Sequence, residues 1–146
     1  MNKKLLRFTF QVAFRGISSF YLIKLQTMKI MIVDDHTDMR RMLKNLISFS
    51  DTELECVECK SGEEAISSYL SHKPNWVLMD IELKSTSGFD VTKEIYALDA
   101  DAKVIIVTSY DTPTFRRKAK KLNVHGFVCK DKLSDLQQLL SSPSKK

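Results

Sequence analysis

The chain has 146 residues, of which 43% are hydrophobic and 28% charged, a size and composition that suit one globular domain. No apolar run reaches the roughly 20 residues that a membrane-spanning helix requires, and three cysteines are too few for a disulfide scaffold. The formal net charge is +5, but residues 1–27 hold five cations and no acid, so residues 28–146 are neutral overall. We therefore expect a cytoplasmic domain with no membrane span and no nucleic-acid footprint.

Residues 1–27 differ in pattern from the rest of the chain. Aromatic and polar residues alternate from Phe8, and then Arg15 and Gly16 interrupt the apolar stretch that a signal peptide would need. A strong strand pattern begins at Met28. We interpret residues 1–27 as a basic extension outside the domain, with an anchor at a membrane surface as the alternative.

From Met28 onward, apolar strands alternate with amphipathic helices. Short apolar runs predict five strands, over residues 29–33, 54–59, 76–79, 103–108 and 126–129. Apolar residues at helical spacing predict five helices, over residues 37–47, 61–70, 88–98, 113–122 and 133–140. Helix starts are indicated by Thr37 or Asp38, by the capping box Ser61–Glu64, and by Pro113.

Five strands that are each followed by a helix predict an α/β fold, in which a parallel sheet carries helices on both faces. Nearly continuous apolar strands are what a sheet buried on both faces requires. The pattern covers residues 28–140, which we interpret as one domain, and residues 141–146 form a polar tail. In such folds, ligands bind beyond the carboxyl ends of the strands.

Cys56 and Cys59 have the C-x-x-C spacing of some metal and redox sites. They fall on the second predicted strand, where residues three apart point to opposite faces of the sheet. We therefore predict reduced cysteines that share neither a metal nor a disulfide.

Charged and hydroxylic side chains stand at the carboxyl ends of four predicted strands: Asp34 and Asp35, Asp80, Thr108, and Lys130. Three clustered carboxylates resist ionising together, and a hard divalent cation relieves that repulsion. Ligation by oxygen alone favours Mg²⁺. A carboxylate can also attack phosphorus and form an aspartyl phosphate, whose charge a metal and a lysine neutralise. These residues therefore predict a site that makes and holds an acyl phosphate.

The motifs that carry these residues resemble those of the receiver domain of two-component response regulators. They are Met31–His36, Val77–Ile81, Ile105–Ser109 and Gly126–Lys130, and their order and separations fit that family over residues 28 to about 140. The resemblance implies a flavodoxin-like sandwich whose five parallel strands are ordered 2-1-3-4-5. It also implies a phosphorelay function without a turnover substrate.

The resemblance further implies a role for each site residue. Asp80 would be the phosphoacceptor. A sensor histidine kinase or a phosphotransfer protein would supply the phosphoryl group. Asp35 would ligate Mg²⁺ directly and Asp34 would assist. Asp80 itself and the backbone carbonyl of Glu82 would complete the protein ligands. Lys130 would pair with the phosphoryl group.

The same resemblance implies a switch. Thr108 would move toward the phosphoryl group, and the ring of Phe127 would turn inward with it. The helix over residues 113–122, the fifth strand and the last helix would then present an altered face to an output partner.

Two departures from the family pattern stand out. Leu83-Lys84 replaces the Met-Pro of many members in the loop after the acceptor, which bears on the rigidity of that loop. Phe127 stands where tyrosine is frequent, so a hydroxyl contact is lost while the ring is kept.

Other interpretations of the chain stay open at this stage. One is a pseudo-receiver that only binds partners, and another is a truncated DNA-binding response regulator. A phosphatase of the haloacid dehalogenase type would want an aspartate two residues after the nucleophile, where Glu82 stands. His36 is a weaker candidate for a metal ligand or phosphodonor. The cations Arg116–Lys121 form either a solvated face or a surface for an acidic partner or a nucleic acid.

Overall fold

A computed structural model describes residues 27–48 and 53–141. The predictions for residues 1–26 and 142–146 lie outside the described residues. The five strands are parallel and are ordered β2-β1-β3-β4-β5, which confirms the predicted α/β sandwich. The strands are β1 Met28–Val33, β2 Leu54–Cys59, β3 Trp76–Met79, β4 Val104–Thr108 and β5 Gly126–Cys129.

The helices alternate with the strands as the sequence predicts. They are α1 Thr37–Ile47, α2 Gly62–His72, α3 Gly88–Leu98, α4 Pro113–Lys121 and α5 Ser134–Ser141, and a short 3₁₀ turn, Lys130–Lys132, precedes the last. In the part of the chain that the structure describes, no helix combines the length and the apolar character needed to cross a membrane.

The helix starts agree with the predicted signals in two cases and differ in a third. Ser61 caps α2 by accepting a hydrogen bond from the Glu64 backbone N–H, and Pro113 occupies the first turn of α4. α1 begins at Thr37, one of its two predicted start residues, but the N-cap position before it is held by His36. The His36 side chain makes no capping hydrogen bond.

Successive side chains of a strand point to opposite faces of the sheet, and apolar side chains form a core on each face. On β1, Met31 and Val33 pack on one face, while Ile30 and Ile32 pack on the other. Cys59 belongs to the first of these cores and Cys56 borders the second, which confirms that the two thiols face apart. The central strands of the sheet are therefore buried on both sides, whereas the edge strand β2 carries charged residues that form ion pairs.

The start of α3 lies directly against the backbone of the residue that follows β3. The Gly88 N–H donates to the carbonyl of Ile81 at 2.8 Å. A Cβ on Gly88 would overlap the carbonyl oxygen of Asp80 and lie only 2.8 Å from its carbonyl carbon. The absent side chain of Gly88 thus allows the loop over residues 81–87 to close tightly beside Asp80.

Candidate functional site

Backbone hydrogen bonds to neighbouring strands place Asp34 and Asp80 at the carboxyl edge of the sheet. The Asp34 N–H donates to the Cys59 carbonyl at 3.1 Å, and the Asp80 N–H donates to the Val33 carbonyl at 2.9 Å. Both aspartates therefore continue the parallel ladder one residue beyond the strands. Their side chains are almost completely buried, with 1% and 5% exposed.

Lys130 joins the two buried carboxylates. Its Nζ lies 2.7 Å from Oδ2 of Asp34 and 3.0 Å from Oδ2 of Asp80, and 9% of its side chain is exposed. Asp34 and Lys130 are 96 positions apart in the sequence and meet because β1 and β5 end at the same edge. One ammonium group thus serves two carboxylates, and the cluster keeps an excess of negative charge.

The pKa shifts of the site result from this shared pairing. Burial raises the pKa of Asp80, and the charge of Asp34 adds to the increase. Lys130 and a hydrogen bond from the Glu82 backbone lower the pKa of Asp80 without cancelling the effect of burial. For Lys130, burial lowers the pKa, but the hydrogen bond to Asp34 and the charge of Asp80 outweigh it and hold the ammonium protonated.

Asp35 completes an acidic cluster. Atoms of Asp34, Asp35, His36 and Asp80 that can ligate a metal all lie within 4.8 Å of one another. Within the described ranges, Oδ1 of Asp35 is shielded from solvent and has no hydrogen-bond partner. A buried oxygen without a partner is costly, and a cation would satisfy it. The three aspartates therefore fit a divalent cation that prefers oxygen ligands.

The structure places the other predicted residues around this cluster without showing their proposed roles. Thr108 is fully buried at the end of β4, and its hydroxyl accepts a hydrogen bond from the Tyr110 N–H at 3.1 Å. Glu82 lies in the loop after Asp80 and forms an isolated antiparallel bridge with Ser87. In place of the family's frequent Met-Pro, Leu83 is buried in the core, so that loop is held by packing.

Phe127 is half-buried on β5 and is covered by a cation. The guanidinium of Arg116 lies 4.9 Å from the centre of the Phe127 ring. Two hydrogen bonds to Asp111, at 2.5 and 2.7 Å, hold that guanidinium in place. One member of the basic run on α4 is therefore paired and stacked, and it is not a free surface charge.

Arg40 is a site residue that the sequence reasoning missed. Its Nη1 donates to the backbone carbonyl of Asp34 at 2.7 Å, and its Nε lies 3.3 Å from a carboxylate oxygen of Glu58. This contact steadies the turn between β1 and α1. Its position near the start of α1 could have indicated this contact, because side chains on a helix point back toward its N-terminus and the preceding loop.

Known proteins share this sequence pattern. The family model for the response regulator receiver domain matches residues 30–141. The chemotaxis protein CheY of Thermotoga maritima is 34% identical over 102 residues, which make up 70% of this chain and 84% of that protein. A nitrate/nitrite response regulator protein homolog of Haemophilus influenzae is 31% identical over 104 residues, or 71% of this chain. That match spans only 50% of the regulator's length.

Solved structures agree with these matches. A LuxR-family two-component response regulator from Aurantimonas superimposes with a TM-score of 0.71 at 30% identity, covering 77% of this chain and 81% of that one. CheY in a CheX-CheY-BeF₃-Mg²⁺ complex from Borrelia burgdorferi superimposes with a TM-score of 0.73 at 23% identity. That second likeness covers 87% of this chain and 95% of the other, and it supports the fold alone.

Proposed function

This chain belongs to the response regulator receiver domain family, and on that premise we propose that Asp80 accepts a phosphoryl group from a partner histidine kinase or phosphotransfer protein. The observation that carries the proposal is the buried contact of Lys130 with both Asp34 and Asp80. A cation 3.0 Å from a carboxylate oxygen of Asp80 supports the proposal, because the charge of an incoming phosphoryl group needs such a partner. The proposed domain is residues 28–140.

In the proposed step, a carboxylate oxygen of Asp80 forms a bond to phosphorus. The bond from phosphorus to the donor breaks, and its electron pair leaves with the donor. Lys130 pairs with the phosphoryl oxygens as an ammonium, since the neighbouring carboxylates raise its pKa and keep it protonated. Asp80 is modified once in each cycle, so the domain acts as a substrate of phosphotransfer and not as a turnover enzyme.

The proposed metal ligands are Asp35, Asp34, Asp80 and the backbone carbonyl of Glu82. When bound, Mg²⁺ neutralises the clustered carboxylates and the charge of the transferring group. The unpartnered Oδ1 of Asp35 supports this assignment. Arg40, through its hydrogen bond to the Asp34 carbonyl, holds the turn that carries the two adjacent aspartates.

We place the switch at Thr108 and Phe127. Thr108 would exchange its contact with the Tyr110 N–H for one with the phosphoryl group. The ring of Phe127 would move out from beneath the guanidinium of Arg116 and into the space that the threonine vacates. Movement of α4, β5 and α5 would then report phosphorylation to an output partner. A ligand shifts an equilibrium between two conformations only if it binds one of them more tightly. The phosphoryl group would favour the conformation in which Thr108 contacts it.

The acceptor is tested with Asp80→Asn, whose amide has nearly the same shape but is a poor nucleophile. Incubation with a small phosphodonor and Mg²⁺ should label the wild-type chain with a hydroxylamine-sensitive acyl phosphate. The variant should stay unlabelled, and the exposed Asp101→Asn serves as the matched control that should be labelled normally. Equal labelling of Asp80→Asn would refute the assignment.

A second measurement tests the switch. Hydrogen exchange with beryllofluoride and Mg²⁺, which mimic the phosphoryl group, should alter α4 and the strand segment around Phe127. Exchange changes confined to the loops at Asp35 and Asp80 would mean that phosphorylation does not move that face.

A further inference from the structure

His36 occupies the N-cap of α1, yet its side chain contacts the acidic cluster and does not cap the helix. The N-cap of a helix favours a side chain that accepts a hydrogen bond from the first turn, and that of His36 does not. Its imidazole turns toward the acidic cluster instead. Nδ1 lies 2.8 Å from Oδ1 of Asp35 and 3.3 Å from Oδ1 of Asp34, while 72% of the side chain stays exposed.

The contact between His36 and Asp35 does not satisfy the carboxylate. The side chain of Asp35 is 7% exposed, and its Oδ1 has no hydrogen-bond partner among the described residues despite the nearby nitrogen. The His36 backbone N–H donates to Oδ1 of Asp34 at 2.8 Å, which fixes the residue in place. The imidazole nitrogen and the carboxylate oxygen thus lie within ion-pair distance of each other, at 2.8 Å, without the geometry of a hydrogen bond.

This spacing matches two neighbouring ligands of one metal ion. Zinc bonds to nitrogen and oxygen are about 2.1 Å long, so adjacent ligands in tetrahedral or octahedral geometry lie roughly 3.0–3.4 Å apart. The distance of 3.3 Å from Nδ1 to Oδ1 of Asp34 lies within that range, and the 2.8 Å to Oδ1 of Asp35 lies just below it. Asp80 belongs to the same cluster, so that one ion can be reached by the imidazole and by carboxylates.

We propose that His36 is a nitrogen ligand that lets this centre take a first-row transition ion such as Zn²⁺ in place of Mg²⁺. The inference rests on the proposed metal site and adds a selectivity to it. Imidazole suits Zn²⁺, Ni²⁺ and Cu²⁺, whereas Mg²⁺ prefers oxygen and retains water. His36 therefore strengthens binding of the transition ion and contributes little to binding of Mg²⁺. The two ions compete for the carboxylates of Asp35 and Asp80.

The test is calorimetric titration of the full chain with Zn²⁺ and, separately, with Mg²⁺. His36→Ala should weaken Zn²⁺ binding at least tenfold and change Mg²⁺ binding less than twofold. The matched control is His72→Ala, which removes a histidine on α2 and should change neither. Titration with Co²⁺ identifies the ligands, because a nitrogen and oxygen centre lacks the intense near-ultraviolet band of thiolate ligation.

Unchanged Zn²⁺ affinity in His36→Ala, or a thiolate band in the Co²⁺ complex, would overturn the inference. Asp35→Ala separates it from the proposed function. If that variant loses Mg²⁺ binding while His36→Ala keeps Zn²⁺ binding, the nitrogen ligand is refuted and the magnesium site stands. If the chain binds no Mg²⁺ at all but loses Zn²⁺ with His36→Ala, the nitrogen ligand stands and the proposed magnesium site is refuted.

Discussion

Replacing Gly88 with alanine tests how closely the acceptor loop must fold against α3. Gly88 does not have a positive φ, so alanine is compatible with its backbone conformation. The difficulty is steric, since the new Cβ would overlap the carbonyl oxygen of Asp80 and lie 3.0 Å from Cα of Ile81. These are backbone atoms, which cannot rotate away as the end of a side chain can.

The cost of Gly88→Ala can be worked out from this geometry. Restoring ordinary contacts requires a backbone shift on the order of 1 Å, and overpacking of this kind costs about 1–3 kcal/mol, occasionally more. Because the obstruction is backbone, we expect about 3 kcal/mol, or roughly 10 °C in Tm. The shift falls on Asp80, the proposed acceptor, and a displacement of about 1 Å at a reacting group can slow a reaction about 100-fold.

Gly126→Ala is the matched control. A Cβ at Gly126 would lie 2.6 Å from Cδ1 of Leu139, which is the end of a flexible side chain that can adjust. We expect it to cost less than about 1 kcal/mol and to leave phosphorylation unchanged. The assays are thermal unfolding measured by circular dichroism, and the initial rate of acyl phosphate formation. Equal Tm values and equal rates for Gly88→Ala and Gly126→Ala would refute the steric argument.

Three further predictions concern charge and boundaries. Asp35→Ala should abolish Mg²⁺ binding measured by calorimetry and stabilise the metal-free protein against urea, because it relieves carboxylate repulsion; unchanged Mg²⁺ affinity would contradict the ligand assignment. The raised pKa of Asp80 means that the native state binds more protons than the unfolded state between about pH 4, the ordinary range of an aspartate, and the higher pKa of the folded state. The free energy of unfolding without metal should therefore fall as pH rises through that window, and Asp80→Asn should lessen the fall; parallel profiles would contradict it. Deleting residues 1–27 should leave Tm and phosphorylation rate unchanged, because the charge pattern changes and β1 begins at Met28. A large decrease in Tm would mean that the domain includes part of this segment.

Sequence reasoning could place the fold and the edge of the site because both depend on local patterns. Apolar runs and helical spacing fix the order of strands and helices, and right-handed crossovers restrict their arrangement. Parallel strands then bring their carboxyl ends to one edge, so Asp34, Asp80 and Lys130 could be expected there. The cluster that the structure describes agrees with this expectation.

The pairing within the site could not be predicted in the same way, because it depends on side-chain directions across distant elements. Nothing local in the sequence says that one lysine contacts two carboxylates, or that Arg116 stacks on Phe127. The N-cap of α1 could not be predicted, because histidine is not among the residues that favour this position and the His36 side chain makes no capping hydrogen bond. The predicted helix over residues 113–122 likewise ends one residue early, at Lys121.

The distance along the chain between Asp34 and Lys130 has a consequence for biosynthesis. Asp34 leaves the ribosome 96 residues ahead of its partner, and Asp80 leaves it 50 residues ahead of the same lysine. A nascent or misfolded chain whose last strand has not joined the sheet leaves its acidic residues without a counter-charge, and on the proposed function it cannot hold a phosphoryl group. On the proposed function, only a chain in which β5 has joined the sheet would accept and hold a phosphoryl group, so that phosphorylation would depend on completed folding.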